Sequence, residues 1–318
     1  MAEFDDLVIG AGMAGLTVSA LLAAQGRRVL VLDAHDVPGG YAHTFAVGKY
    51  RFCAQVHYVF GCGEGEPVNE LLRRTGLADE VRFHRLDPEG FDHVVVAGSR
   101  YRIPNGLEKF RDRLIDAFPG DAAPLRGYFE IVMAIGRELD RMPKTIGLRD
   151  LATAPFRFSR LLKYRTWTLG RLYESLGMPP RLRTILAGQS GDYLLPPGEV
   201  SLLLHVALVR AYDRGAYYPE KHYVHFIESV ASYLRSRPGC ELRLETEVES
   251  ILTDGKRVTG VRTTRGETLR AARYVSNVDP RRTAALLGAR GWQRKLSYAY
   301  SSGNITLYLG LRDIDLRD

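Results

Sequence analysis

The sequence predicts an α/β fold that opens on a parallel βαβ unit, and three observations carry that prediction. An apolar run, Asp6-Leu7-Val8-Ile9, stops at a glycine turn, Gly10-Ala11-Gly12-Met13-Ala14-Gly15. A helical stretch follows, with Leu16, Ala20 and Ala23 recurring on one face and Gly26 closing it. A second apolar run, Val29-Leu30-Val31-Leu32, then ends at an acid, Asp33. Strand, glycine turn, helix, strand and acid at this spacing form the fingerprint of a dinucleotide-binding unit.

Each residue of the fingerprint has a task. Gly10 permits the tight turn, Gly12 lets backbone approach a pyrophosphate, and Gly15 lets the helix pack close to the strand. Met13 and Ala14 open a helix whose free N–H groups and positive dipole end face the phosphates. Asp33, with Ala34 beside it, is placed to accept the ribose hydroxyls of an adenosine, and its charge would repel a 2′-phosphate.

With 318 residues, 45% hydrophobic and 25% charged, the chain is globular and long enough for one large or two moderate domains. Cys53, Cys62 and Cys240 form neither a CxxC pair nor an even framework, which points to a reducing, cytoplasmic setting and to buried rather than reactive thiols. No metal ligands are assigned. No secretory stretch or membrane-spanning run stands out, so a soluble or peripheral protein is expected. The net charge of +7 suits an anionic cofactor or an anionic membrane surface. No nucleic-acid motif accompanies it, and nucleic-acid binding is not expected.

Further elements follow in order. Gly39-Gly40 sit in a loop that allows a second close backbone approach to the same cofactor. Phe52 to Phe60 alternates and reads as one strand, with Gln55 and His57 on a face free to point into a cavity. A short helix runs from Val68 to Thr75, and an antiparallel hairpin joins Phe91–Val96 to Arg100–Ile103. Helical spacing covers Leu107 to Met142, with a break near Phe118-Pro119-Gly120.

From Phe156 to Ile185 the chain is basic and apolar at once. Such a stretch can lie on an anionic membrane or form a solvated basic face over a core; the second is favoured because the apolar positions do not make one clean stripe. His205, in an apolar helix over Val200–Val209, reads as a satisfied core residue. A helix over His222–Ser236, a meander of Leu242–Leu252, Val258–Thr263 and Glu267–Leu269, a short strand at Tyr274–Asn277 and an alternating strand at Ile305–Leu311 complete the prediction.

The fingerprint DDLVIGAGMAGLTVSALLAAQGRRVLVLDAHDVPGG, the segment YRFCAQVHYVFG, the loop GAYYP, the stretch TEVESIL and YVSNVDP together resemble the FAD-dependent phytoene desaturase, carotenoid isomerase and retinol saturase group. The GGYAHTF and VHY segments are most similar to its retinol saturase branch. The resemblance implies a Rossmann-type, glutathione-reductase-like FAD-binding domain over 1–80 and 220–290. An inserted α+β substrate domain would occupy 81–219 and 291–318 and include any membrane-facing helices. It also implies that Gly10, Gly12, Gly15 and Asp33 bind the ADP half of FAD, that Gly39 and Gly40 run beside the pyrophosphate and flavin, and that Val248 meets the adenine through its backbone.

The implied chemistry is hydride transfer between flavin N5 and a carbon of an apolar, isoprenoid or polyene-like substrate, as saturation, desaturation or isomerisation. Gln55, His57, Tyr58 and His222 are the candidates to line the reacting site, His57 and His222 as proton donors or acceptors. Two departures from the group stand out. A glycine pair usual after the YP-basic sequence is replaced by His222-Tyr223. A C-terminal block that usually holds the flavin is not found, so the expectation is a fragment of a longer protein, completion by another, C-terminal polypeptide, or weak FAD retention. A flavin amine oxidase, and a truncated homologue that binds lipid or a partner chain without catalysis, stay open as alternatives.

Overall fold

The computed structural model describes residues 3–143, 145–288, 300–303 and 305–314. Strand β1 (Phe4–Ile9), helix α1 (Met13–Ala23) and strand β2 (Val29–Leu32) form the opening unit. A hairpin of β3 (Thr44–Val47) and β4 (Tyr50–Cys53) follows, then α2 (Pro67–Thr75) and β5 (Phe83–Arg85). A second hairpin, β6 (Asp92–Val96) with β7 (Ser99–Ile103), leads into a helical region. Its helices are α3 (Leu107–Ala117), α4 (Ala122–Asp140), α5 (Leu148–Arg157), α6 (Ser159–Tyr164), α7 (Leu169–Ser175), α8 (Pro180–Leu186) and α9 (Leu202–Asp213). The chain returns through β8 (Tyr217–Pro219) and α10 (His222–Arg235) to β9 (Glu241–Arg243). An antiparallel sheet of β10 (Val248–Thr253), β11 (Val258–Thr263) and β12 (Thr268–Leu269) precedes β13 (Ala271–Ser276) and α11 (Pro280–Leu286).

The central sheet is parallel, in the order β13-β1-β2-β9. Its period of two sorts the side chains between two cores. Val8, Val29 and Val31 pack on one face against α1, α2 and α10, through Leu16, Leu72, Phe226 and Val230. Leu7, Ile9, Leu30 and Leu32 pack on the other against Val248, Ile251, Val261 and Leu269. Strands covered on both faces are expected to be apolar throughout, as β2 and the Leu7–Ile9 part of β1 are. Buried Asp6 is the exception, and it is paired to Arg27 and to Arg273 across β13. A third core, separate from these, fills the helical region with Phe110, Phe129, Ile135, Leu172 and Ile185 among its members.

Three strand expectations are corrected. Phe52–Phe60 is not one strand: β4 stops at Cys53, the chain bends at Ala54 and Gln55, and Val59 pairs separately with Tyr217. The alternating side chains serve different cores, Val56 and Val59 beside the sheet and Tyr58 in the helical region. Leu242–Leu252 is also two strands. Glu245 takes a left-handed φ of 49°, and Thr246 N–H donates to the Asp33 carbonyl at 2.7 Å, so β9 stays in the parallel sheet while β10 starts another. Ile305–Leu311 keeps its alternation, with Tyr308 against Phe45 and Phe52 and Leu307 and Leu309 exposed. It has no ladder partner among the described residues and forms no strand there. Of the segment 291–318, residues 291–299, 304 and 315–318 lie outside the described residues.

Candidate functional site

The carboxyl end of a parallel sheet, where the strand order reverses, is where α/β folds bind ligands. Here β1 is flanked by β2 and β13, and the glycine turn leaves its end between them. Gly10 has φ 102°, a left-handed backbone that favours glycine. A Cβ on Gly15 would stand 1.9 Å from the Gly10 carbonyl oxygen, so only glycine lets α1 begin this close to the strand. No side chain caps α1, which leaves its first-turn N–H groups without a capping partner.

Asp33 ties the turn together. One carboxylate oxygen accepts from Ala11 N–H at 2.5 Å and the other from His35 N–H at 2.8 Å. Gly39 N–H donates to the Ala11 carbonyl at 2.8 Å, drawing the Gly39-Gly40 loop onto the turn. Between them lies a cleft of about 580 Å³ lined by Gly10, Gly12, Met13, Asp33, Gly39 and Gly40. An adjoining recess of about 130 Å³ is shared through Gly10 and Asp33 and is lined by Ala34 and Val248. Ala14 lies one residue into α1, exposed and outside the lining of both.

A third cavity, of about 520 Å³, holds His57, Tyr58 and His222 with Phe52, Leu86 and Tyr218. Val56 lines both it and the larger cleft, so the two meet there. Gln55 and His57, expected on one face, part company at the bend: Gln55 is exposed and outside the cavity lining, and its N–H donates to the Tyr41 carbonyl at 3.1 Å. Tyr58, also a candidate to line the site, is in the cavity lining. Its hydroxyl donates to Asp92 at 2.6 Å, and burial and that carboxylate push its pKa well up.

His222 opens α10 with φ 68°, a conformation that glycine adopts freely and other residues do not. The position where the resemblance leads one to expect a glycine thus carries a histidine on a left-handed backbone. Its Nδ1 lies 3.1 Å from Thr44 Oγ1, and burial, then Arg51, lower its pKa. His222→Gly is expected to hold or raise stability by up to about 1 kcal/mol, and β-branched His222→Val to lower it; thermal unfolding measures both, and a lower melting point for the glycine variant than for the valine variant would remove the strain argument.

Cys53 and Cys62 are half-buried, Cys240 is buried, and burial pushes the Cys62 thiol up to about 12. Sequence reasoning passed over Asn277, His35 and His43, which also line the main cleft. Asn277 N–H donates to the Ile9 carbonyl at 2.8 Å, and its side-chain amide would meet a Cβ on Gly12 at 3.5 Å. Its signal is the end of the Tyr274–Asn277 strand, legible only once that strand is known to lie beside β1.

Residues 8–75 match the family described as NAD(P)-binding Rossmann-like domain. The all-trans-retinol 13,14-reductase of Rattus norvegicus is 28% identical over 284 residues, which cover 84% of this chain and 45% of that protein. The phytoene desaturase (neurosporene-forming) of Cereibacter sphaeroides is 26% identical over 295 residues, 86% of this chain and 52% of that protein. The chain is homologous to this retinol reductase and phytoene desaturase group. It spans about half the length of these relatives. A solved oxidoreductase from Methanosarcina mazei shares the fold, with a TM-score of 0.61 at 17% identity over 90% of this chain and 61% of that one.

Proposed function

We propose that the chain is an FAD-dependent oxidoreductase acting on C–C bonds of an apolar, isoprenoid or polyene-like substrate. The observation that carries this reading is the meeting, at Val56, of a cleft built on a dinucleotide turn and a cavity walled by aromatic and aliphatic side chains with two histidines. Relatives whose names specify retinol and phytoene support the substrate class. Residues 1–80 and 220–290 would carry the cofactor and 81–219 with 291–318 the substrate, a division supported by the separate cores of the sheet and the helical region.

The residues present fit FAD. Gly12 and Gly40 approach so closely that a Cβ on Gly40 would sit 3.1 Å from the Gly12 Cα, leaving a side-chain-free wall for a pyrophosphate. Gly10, Gly12, Gly15, Met13 and Ala14 would hold it with backbone, Asp33 and Ala34 the ribose, and Val248 the adenine. When bound, FAD supplies hydride transfer at N5. The chain's own part is to exclude water with Phe52, Leu86 and Tyr218 and to hold a proton at His57 or His222. Tyr58, with its raised pKa, stays protonated and orients rather than accepts a proton. Saturation, desaturation and isomerisation all use these parts.

An absorption spectrum of the purified full protein, with the cofactor released by denaturation, tests the reading. A flavin band and free FAD are expected, followed by bleaching when a polyene substrate pair is equilibrated without oxygen. Asp33→Ala is expected to weaken FAD retention by about tenfold or more. A colourless protein that gains no flavin band on adding FAD would sink the proposal.

A further inference from the structure

We infer that α5 docks on an anionic lipid bilayer and lies in its interfacial plane. The helix is inside out. Leu148, Leu151, Ala152, Pro155 and Phe156 recur at the spacing that gathers residues on one side of a helix. That side faces solvent: Leu148 is 86% exposed, Leu151 62% and Phe156 88%. No residue of α5 is buried. The half-buried side carries Asp150, Thr153 and Ala154, with Ala154 against the helical core.

Asp150 is engaged within the helix. Its carboxylate accepts from Gly147 N–H at 3.1 Å and pairs with Arg157 at 3.0 Å. The helix thus turns its polar contacts inward and its apolar stripe outward, the reverse of a helix on a water-facing surface. The patch continues beyond both ends, through Ile146 at 57% exposure and Leu162 at 37%. The basic stretch read from Phe156 onward shows no clean stripe because the stripe lies mostly N-terminal to it.

Charge selects the occupant. Residues 141–165 carry seven arginines and lysines against one acid, Asp150. A protein partner would have to bury cations such as Arg149, Arg160 and Lys163, and interface cores are depleted of charge because unpaired buried cations are strongly unfavourable. A bilayer accommodates both features: apolar side chains enter the acyl boundary while arginine and lysine stay at the level of anionic headgroups. None of the described helices is long and apolar enough to cross a membrane.

Flotation of the full protein with phosphatidylcholine vesicles, and with vesicles that also contain phosphatidylglycerol, is the test. Binding is expected to the anionic vesicles at low salt, weakening as salt rises. Leu148→Gln/Leu151→Gln/Phe156→Gln should weaken partition roughly a hundredfold without changing the circular dichroism. Arg160→Glu/Lys163→Glu should weaken it about tenfold or more. Phe156→Trp should shift its emission to the blue on adding anionic vesicles. Three results would overturn the inference: wild-type protein that stays unbound to anionic vesicles at low salt, a triple variant that floats as well as wild type, or a lipid-free dimer that the triple variant dissociates, since α5 would then join two copies.

Discussion

Gly15→Ala is expected to lower stability by about 3 kcal/mol or more and to abolish nucleotide binding. The added methyl would stand 1.9 Å from the Gly10 carbonyl oxygen and 3.2 Å from the Asn277 side-chain amide. The first of these neighbours is backbone, so it cannot rotate aside. Either α1 moves off β1 or the turn opens, and both break the arrangement in which Asp33 and the Gly39-Gly40 loop are bonded to Ala11. Gly120→Ala is the control, because nothing lies within 4 Å of its Cβ position and its φ is ordinary. Thermal unfolding and nucleotide binding measured on both variants decide the matter. A Gly15→Ala protein that melts and binds like the Gly120→Ala protein would show that the turn is not packed as described.

The opening unit was legible because its signals are local. A glycine turn, a period of 3.6 in α1 and an acid after β2 each depend only on nearby residues. The same holds for the break between α3 and α4, where Pro119 and Gly120 interrupt the helical spacing. The losses come where a pattern is local but its partner is not. Phe52–Phe60 alternates throughout, yet alternation records which side of the chain a residue lies on and not which core it meets. Glu245 hides a turn because a glutamate with φ 49° carries no composition signal. Leu307 and Leu309 alternate with Tyr308 as a strand would, but a strand also needs a neighbour.

The candidate site divides in the same way. Gly10, Gly12, Met13, Asp33, Gly39 and Gly40 come together because they lie within one βαβ unit and the loop after it. Asn277 reaches the same cleft only through the parallel pairing of β13 with β1, which no short-range pattern reveals. His222 was singled out through a missing glycine, and the structure adds the physical reason glycine suits that position, the left-handed φ at the start of α10.

The stability of the protein is expected to fall by about 3 kcal/mol between pH about 7.5 and about 4 through one buried group, His205. Burial lowers its pKa from 6.5 to about 4. It lies on α9 with Tyr128 Oη 2.7 Å from Nε2 and Tyr193 Oη 3.0 Å from Nδ1. A neutral imidazole satisfies both hydroxyls, accepting from one and donating to the other. Protonation would place a charge in a core with no carboxylate beside it among the causes of the shift. The unfolded chain takes up the proton as pH drops below 6.5 while the folded chain refuses it until about 4. The contribution is therefore fully present above 6.5 and is lost progressively down to about 4. Exposed carboxylates such as Asp5 and Glu70, held down to about 2 by arginine hydrogen bonds, begin to act only near their ordinary values of 3.8 and 4.5, at the acid end of this range and below it, and they act equally in wild type and variant. His205→Asn removes the titrating ring, so the difference between wild type and variant isolates it. Denaturant unfolding of both proteins across this range should show a steep slope in wild type and a shallow one in the variant. Equal slopes would mean that the ring is already charged in the folded core or that the core opens to admit water.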